Sequence, residues 1–177
     1  MKPMQLLLVL AAALMLPPAA LAENSAPGKS PAQFCKSELA TLEPANFKSL
    51  YSPGGTGTNA MGKCVSKHAR AAAANRTNAA KTCKSELDMP EAEFRATHDG
   101  KSFAEFYGKN RNDRNAYGKC VSSKAKTASA TQEASLMKAA KACKAERAAD
   151  RTAFTARYGG KAASAFGKCV SAKRRRQ

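Results

Sequence analysis

Cysteine is the residue type in this chain whose number and spacing can do chemistry. The 177 residues include six cysteines, each lying in a short word that recurs. Three words close alike: Gly62-Lys63-Cys64-Val65-Ser66, Gly118-Lys119-Cys120-Val121-Ser122 and Gly167-Lys168-Cys169-Val170-Ser171. Three open alike: Cys35-Lys36-Ser37-Glu38-Leu39, Cys83-Lys84-Ser85-Glu86-Leu87 and Cys143-Lys144-Ala145-Glu146-Arg147. Opening and closing cysteines are separated by 29, 37 and 26 residues. An even set of cysteines at repeated positions in an exported chain reads as a disulfide framework. Six cysteines allow many connectivities, and the repeat makes Cys35–Cys64, Cys83–Cys120 and Cys143–Cys169 the most economical. Closing loops of this length contributes on the order of 3.5 kcal/mol each in the chain-entropy account. Units of about 40 residues bury too little area to hold alone, so the bridges replace part of a core.

The other chemistries open to cysteine lack their partners. Structural zinc uses close ligand pairs such as Cys-x-x-Cys, and this sequence has none; His68 and His98 are far apart along the chain. Haem attachment needs Cys-x-x-Cys-His, and a redox role needs a low-pKa thiol beside a resolving partner. No Gly-x-Ser-x-Gly turn, phosphate-cradling glycine loop or zinc-helix His-Glu pair is present. The acidic group Glu86, Asp88, Glu91 and Glu93 surrounds an expected helix start, where carboxylates suit the helix dipole. The expectation is a non-enzyme with no metal and no cofactor.

The elements that position the cysteines follow from the residues between them. Each unit carries two rings four residues apart, which places both on one helix face: Phe47 and Tyr51, Phe94 and His98, Phe154 and Tyr158. His98 stands in for the ring that tyrosine supplies elsewhere. The insertion Asp99 to Phe106 lengthens unit two, and a second pair, Phe103 and Tyr107, restores the pattern. Pro44, Pro90 and Asp150 mark where a first helix stops and a second begins. Glycines 54, 108 and 159–160 suit the end of that second helix. A third helix starts behind Asn59, Asn115 or Ser164, presents Met61, Tyr117 or Phe166 to the core, and then places a glycine before the closing cysteine, where close backbone approach is expected. The stretches Val65 to Ala80 and Val121 to Ala142 are rich in alanine, so the third helix of one unit runs on into the first helix of the next.

The predicted fold is therefore all-α, three small disulfide-clamped helical repeat units joined by long Ala-rich helices. The units span 32–80, 81–137 (with the insertion) and 138–177 (with a basic tail). Few large apolar side chains lie on the connecting helices, which favours an extended rod over a collapsed bundle. Much of the 44% hydrophobic fraction is alanine, which favours helix and buries little area, so large sheets rich in Val and Ile are disfavoured.

Residues 1–22 have the pattern of an export signal: Lys2, an apolar run from Gln5 to Leu16, and Ala20-Leu21-Ala22 at the cleavage position. The alternative is an uncleaved anchor or a buried N-terminal helix. Residues 23–31 read as a short disordered lead. The apolar run is shorter than the roughly 20 residues of a membrane span and Pro17-Pro18 breaks it, so no stable span is expected. The expected location is exported, either secreted or in the periplasm and cell envelope.

At Asn115-Ala116-Tyr117-Gly118-Lys119-Cys120-Val121-Ser122 and Ala165-Phe166-Gly167-Lys168-Cys169-Val170-Ser171, preceded by Cys143-Lys144-Ala145-Glu146-Arg147, the chain resembles a group of uncharacterised bacterial exported proteins with this repeated cysteine unit. The resemblance covers most of residues 35–171 and implies an origin and an architecture rather than an activity. Unit one departs from it, with Met61 in place of the ring and a Gly-rich loop.

Charge is the feature with functional reach. The formal net charge is +17, and the three units carry about +4, +2 and +10. Lys168, Lys173, Arg174, Arg175 and Arg176 form the densest run and are the candidate polyanion-binding residues. The Asn-rich segment Lys109 to Asn115 is a second candidate for contacts. Outside the cytoplasm the available partners are envelope or extracellular anionic polymers and lipid head groups; the export signal disfavours chromosomal DNA. The expected function is non-enzymatic binding of such a polymer, with a structural or protein-binding spacer, its charge serving solubility, as the alternative.

Overall fold

The computed structural model describes residues 29–54, 57–108, 114–159 and 162–176. The export segment, residues 23–28 of the lead and Lys109 to Asp113 lie outside the described residues. Seven helices and no strand occur among the described residues: α1 Pro31–Tyr51, α2 Ala60–Leu87, α3 Glu91–Thr97, α4 Phe103–Gly108, α5 Ala116–Ala149, α6 Arg151–Tyr158 and α7 Ala162–Arg174. None of them is long and apolar enough to cross a membrane.

The cysteine arithmetic fixes the plan. Three bridges, Cys35–Cys64, Cys83–Cys120 and Cys143–Cys169, each join a unit's first helix to its third, with Cα atoms 6.0 Å apart. The connecting stretches are continuous helix, α2 and α5, each closing one unit and opening the next. The predicted break at Pro44 lies inside α1, where Glu43 takes φ 68° and ψ 155°. Proline disfavours helical backbone in the residue before it, and this backbone is strained for a side chain other than glycine. An ion pair from Glu43 to Lys144 of α5, 2.7 Å, holds the strained residue from outside.

The ends follow the expected signals with three differences. Helix α1 begins one residue inside the expected lead, with Ser30 and Gln33 in a capping box and Pro31 in the first turn. Asn59 and Asn115 do stand at helix starts, but in left-handed backbone (φ 65° and 63°) and without a side-chain cap bond; α7 starts at Ala162, so Ser164 lies within it. Each asparagine instead folds over the glycine one turn on: a Cβ at Gly62 or Gly118 would collide with the Asn59 or Asn115 side chain. Only at Gly167 does the glycine face another backbone, the Ser49 carbonyl 3.6 Å from where a Cβ would sit.

The units are collapsed on one another, not strung out as a rod. Helices α2 and α5 form an antiparallel hairpin capped by α3 and α4, while α1 packs against α2, α5 and α7. The largest core cluster joins unit one to the end of unit two and to unit three: Phe34 and Leu42 of α1 meet Leu136, Ala139 and Ala140 of α5 and Phe166 and Val170 of α7. The expectation of a rod rested on the scarcity of large apolar side chains. Alanine packs helices by letting them approach closely, as Ala139 and Ala140, both fully buried, do here. Phe166 reaches the core as expected, Met61 is half-buried, and Tyr117 stays 39% exposed with its hydroxyl donating to the Ala80 carbonyl.

A polar pin sets the register of the α2–α5 hairpin. The buried Asn75 amide exchanges two hydrogen bonds with Gln132, each 3.1 Å, and donates to Ser129. This places the Asn75-Arg76-Thr77 sequon inside a helix pair. Asn75→Ala strands the Gln132 amide, and urea denaturation is expected to show a loss of about 1–3 kcal/mol. Removing one bridge, as in Cys143→Ser with Cys169→Ser, is expected to cost about 2–5 kcal/mol in the same measurement.

Candidate functional site

The clamps bring together a set of side chains that repeats with them. Three residues after each opening cysteine stands a glutamate, Glu38, Glu86 or Glu146. A tyrosine from the segment between the bridged helices donates to it: Tyr51 at the end of α1 to Glu38 at 2.6 Å, Tyr107 of α4 to Glu86 at 2.8 Å, and Tyr158 of α6 to both oxygens of Glu146 at 3.2 Å. Four residues after each closing cysteine comes a base, His68, Lys124 or Lys173. Lys124 pairs with Glu86 at 2.9 Å and Lys173 with Glu146 at 3.1 Å. A bridge that fixes the two cysteines therefore also fixes the acid and the base, each about one turn further along its own helix.

Tyr107, not His98, is the unit-two counterpart of Tyr51 and Tyr158. His98 stacks on Phe94 with ring centres 3.8 Å apart, and its Nδ1 lies 2.9 Å from the Phe94 carbonyl. The glutamates were visible in the opening words, and the bases at a fixed offset from the closing ones. Their pairing depends on which faces the bridge turns together, which the linear sequence does not display.

Unit one breaks the pattern. Its base is histidine, whose Nε2 lies 4.0 Å from Glu38 and 3.1 Å from the Tyr51 hydroxyl. Glu38 is fully buried and its Oε1 has no partner. Cys64 Sγ lies 3.5 Å from Glu38 Oε2, but a bridged sulfur has no proton to give, so this is a contact and not a hydrogen bond. In unit two, burial works against ionisation of Glu86, but hydrogen bonds from Lys124 and Tyr107 outweigh it and hold the carboxyl below its ordinary range. The same balance, with Lys173, Arg157 and Tyr158, lowers Glu146. In unit one, burial pushes Glu38 up to about 7 against the opposing Tyr51 hydrogen bond and the Lys67 charge. Burial, with the charges of Lys67 and Arg174, pushes His68 down to about 4. An unpartnered Oε1 is tolerated best as the carbonyl oxygen of a protonated acid.

His68 also forms part of the wall of a crevice of about 310 Å³ between α2 and α5, closed at one end by the start of α1 and the end of α7. Ala71, Ala72, Ala125 and Leu136 contribute its apolar lining. Lys29, Lys67, Arg76, Lys126 and Arg174 surround it, against one carboxylate, Glu133. No ion pair is formed by any of these five cations among the described residues, whereas Lys84, Arg95, Lys124, Lys144, Arg157 and Lys173 are all paired. Arg174 Nε is buried with no partner. Mutual repulsion shows at Lys67, where burial and then the Arg174 charge lower the ammonium's pKa. Such a crevice can hold an anionic group by charge-assisted hydrogen bonds while an apolar part rests on the alanines.

The five residues of the C-terminal run do not form one surface. Lys173 is held by Glu146, Lys168 donates to the Gly159 carbonyl, Arg174 lines the crevice, and Arg175 and Arg176 are exposed. Asn115 of the Asn-rich segment is a helix-start residue. Cys35, Cys64 and His68 lie close enough to share a metal ion, but both sulfurs are committed to the bridge, which leaves one donor. Comparison with protein-family models, curated proteins and solved structures returned no match.

The pH dependence of unit one has a definite sign. The folded chain keeps the Glu38 proton up to about 7, whereas the unfolded chain releases it near 4.5. Stability therefore falls, on this account, as pH rises through that window. His68 acts oppositely: the unfolded chain binds its proton near 6.5 and the folded chain near 4, so stability falls as pH drops through that window. Between about pH 4.5 and 6.5 these two contributions oppose and largely cancel each other. Glu38→Gln removes the first alone. It is expected to stabilise the fold by about 3 kcal/mol at about pH 8, with the gain vanishing near pH 4.5 in urea denaturation. A pH-independent difference contradicts the assignment.

Proposed function

We propose that this is a non-enzymatic binding protein that captures anionic groups of envelope or extracellular polymers. Three disulfides point to an oxidising environment outside the cytoplasm, where such polymers are the abundant polyanions. The observation that carries the reading is the convergence of Lys29, Lys67, Arg76, Lys126 and Arg174, none of them ion-paired among the described residues, on one crevice. Five like charges held together cost electrostatic free energy that a bound anion recovers. The exposed Arg175 and Arg176 extend the positive field beyond the crevice and steer a polymer toward it.

This reading moves the binding centre from the basic tail to the crevice. Lys168 and Lys173 serve the fold of unit three, so the tail contributes mainly through its last two arginines. A spacer whose charge serves solubility has one observation in its favour, the commitment of many lysines to structural pairs. That commitment also makes the unpaired five stand out.

Salt elution from a sulfated-polysaccharide resin distinguishes these. Replacing Lys67, Arg76 and Lys126 together by alanine is expected to reduce the slope of log affinity against log salt by roughly 2–3, and Arg175→Ala with Arg176→Ala by less. Retention that does not depend on salt, or that is lost only with the two terminal arginines, overturns the crevice reading.

A further inference from the structure

His68 belongs to both the crevice and the buried acid–tyrosine network. Its side chain is 13% exposed and lines the crevice, while its Nε2 lies 3.1 Å from the Tyr51 hydroxyl, itself 2.6 Å from Glu38 Oε2. At the same position the sister units carry lysines, already charged and already paired. Histidine alone can be neutral or charged there. Resting on the reading of the crevice as an anion site, we propose that His68 is a proton-carrying anion ligand, charged by a proton relayed from Glu38 through Tyr51 when an anion enters.

The relay balances without exchange with solvent. The 2.6 Å contact in which Tyr51 donates to Glu38 is the arrangement of an ionised carboxylate; in the resting state of the relay the protonated Glu38 carboxyl donates in the reverse sense to the Tyr51 oxygen, which frees the Tyr51 hydroxyl to donate to His68 Nε2 at 3.1 Å. On binding, the Tyr51 proton passes to His68 Nε2 as the Glu38 proton passes to the Tyr51 oxygen. One O–H bond breaks at Glu38, one breaks and one forms at Tyr51, and an N–H bond forms at His68. The product, a Glu38 carboxylate accepting from Tyr51 beside an imidazolium, keeps both hydrogen bonds.

The surrounding charges explain why an anion triggers the transfer. Lys67 of α2 and Arg174 of α7 disfavour a charged His68, while Glu38 and Tyr51 of α1 face it from the buried side. Across the crevice α5 supplies Lys126 and Glu133, and Lys29 lies just ahead of α1. An anion seated among Lys67, Arg174 and His68 neutralises the first two and makes the imidazolium the favoured state. Burial and the lone Oε1 of Glu38 keep the proton in store for it.

The test uses a fully sulfated disaccharide, whose charge does not change with pH. With ¹⁵N-histidine labelling at about pH 6, ligand is expected to move the His68 Nε2 resonance to the protonated position, with His98 unmoved. Calorimetry in two buffers is expected to show net proton uptake near zero for wild type and approaching one proton for Glu38→Gln. Affinity is expected to fall roughly tenfold between about pH 6 and 8 in wild type and to stay flat in His68→Lys, which carries the sister units' residue. A His68 that remains neutral in the complex, or equal pH profiles for wild type and His68→Lys, overturns the relay. Absence of sulfated-disaccharide binding in every variant overturns instead the anion-binding reading on which it rests.

Discussion

The structure depends on one geometric constraint, the bridge that holds the first and third helices of each unit at a Cα separation of 6.0 Å. A chain so rich in alanine has little apolar area to fold with, and the bridges compensate by restricting the unfolded chain. They also decide what lies beside them. With both cysteines pinned, the acid three residues beyond one and the base four residues beyond the other stay within side-chain reach of each other, and the segment between the helices lays a tyrosine against the acid. Core and polar network are thus consequences of the same clamp. The packing of α1 on α5 and α7 follows, because the clamped ends turn Phe34, Leu42, Leu136 and Val170 toward one another.

The repetition gives the exception its meaning. Units two and three complete the network with lysine, and their glutamates are held ionised by paired neighbours. Unit one replaces lysine with histidine, buries its glutamate fully and leaves one carboxylate oxygen unpartnered. A buried unpaired acid costs stability, and the sister units show that the same scaffold can avoid that cost. The departure sits where the network opens onto the crevice, so a structural expense and a candidate binding surface coincide at His68.

Much of the architecture was legible from the sequence because it is written in discrete words. Cysteine spacing determined the pairing, Pro44 marked the backbone break at Glu43, and the alanine-rich stretches became the continuous helices α2 and α5. What escaped was three-dimensional juxtaposition. Collapse of the units is not legible because small side chains look like an absence of core when they are in fact a licence for close approach. The crevice is invisible in the linear sequence because its cations come from distant positions, Lys29, Lys67, Arg76, Lys126 and Arg174, while the conspicuous basic run at the C-terminus divides among a salt bridge, a carbonyl contact, the crevice and solvent. Charge density along the chain is a poor guide to charge density in space when helices fold back on themselves.

The central claim is that the cations of the crevice, rather than the exposed terminal arginines Arg175 and Arg176, form the anion site. Amide chemical-shift mapping during titration of the ¹⁵N-labelled protein with the sulfated disaccharide tests this most directly. The account predicts saturable shifts concentrated around Lys67, His68, Arg76 and Lys126, with only small changes at Arg175 and Arg176. Shifts confined to the terminal arginines, or spread evenly over the positive surface, would contradict it.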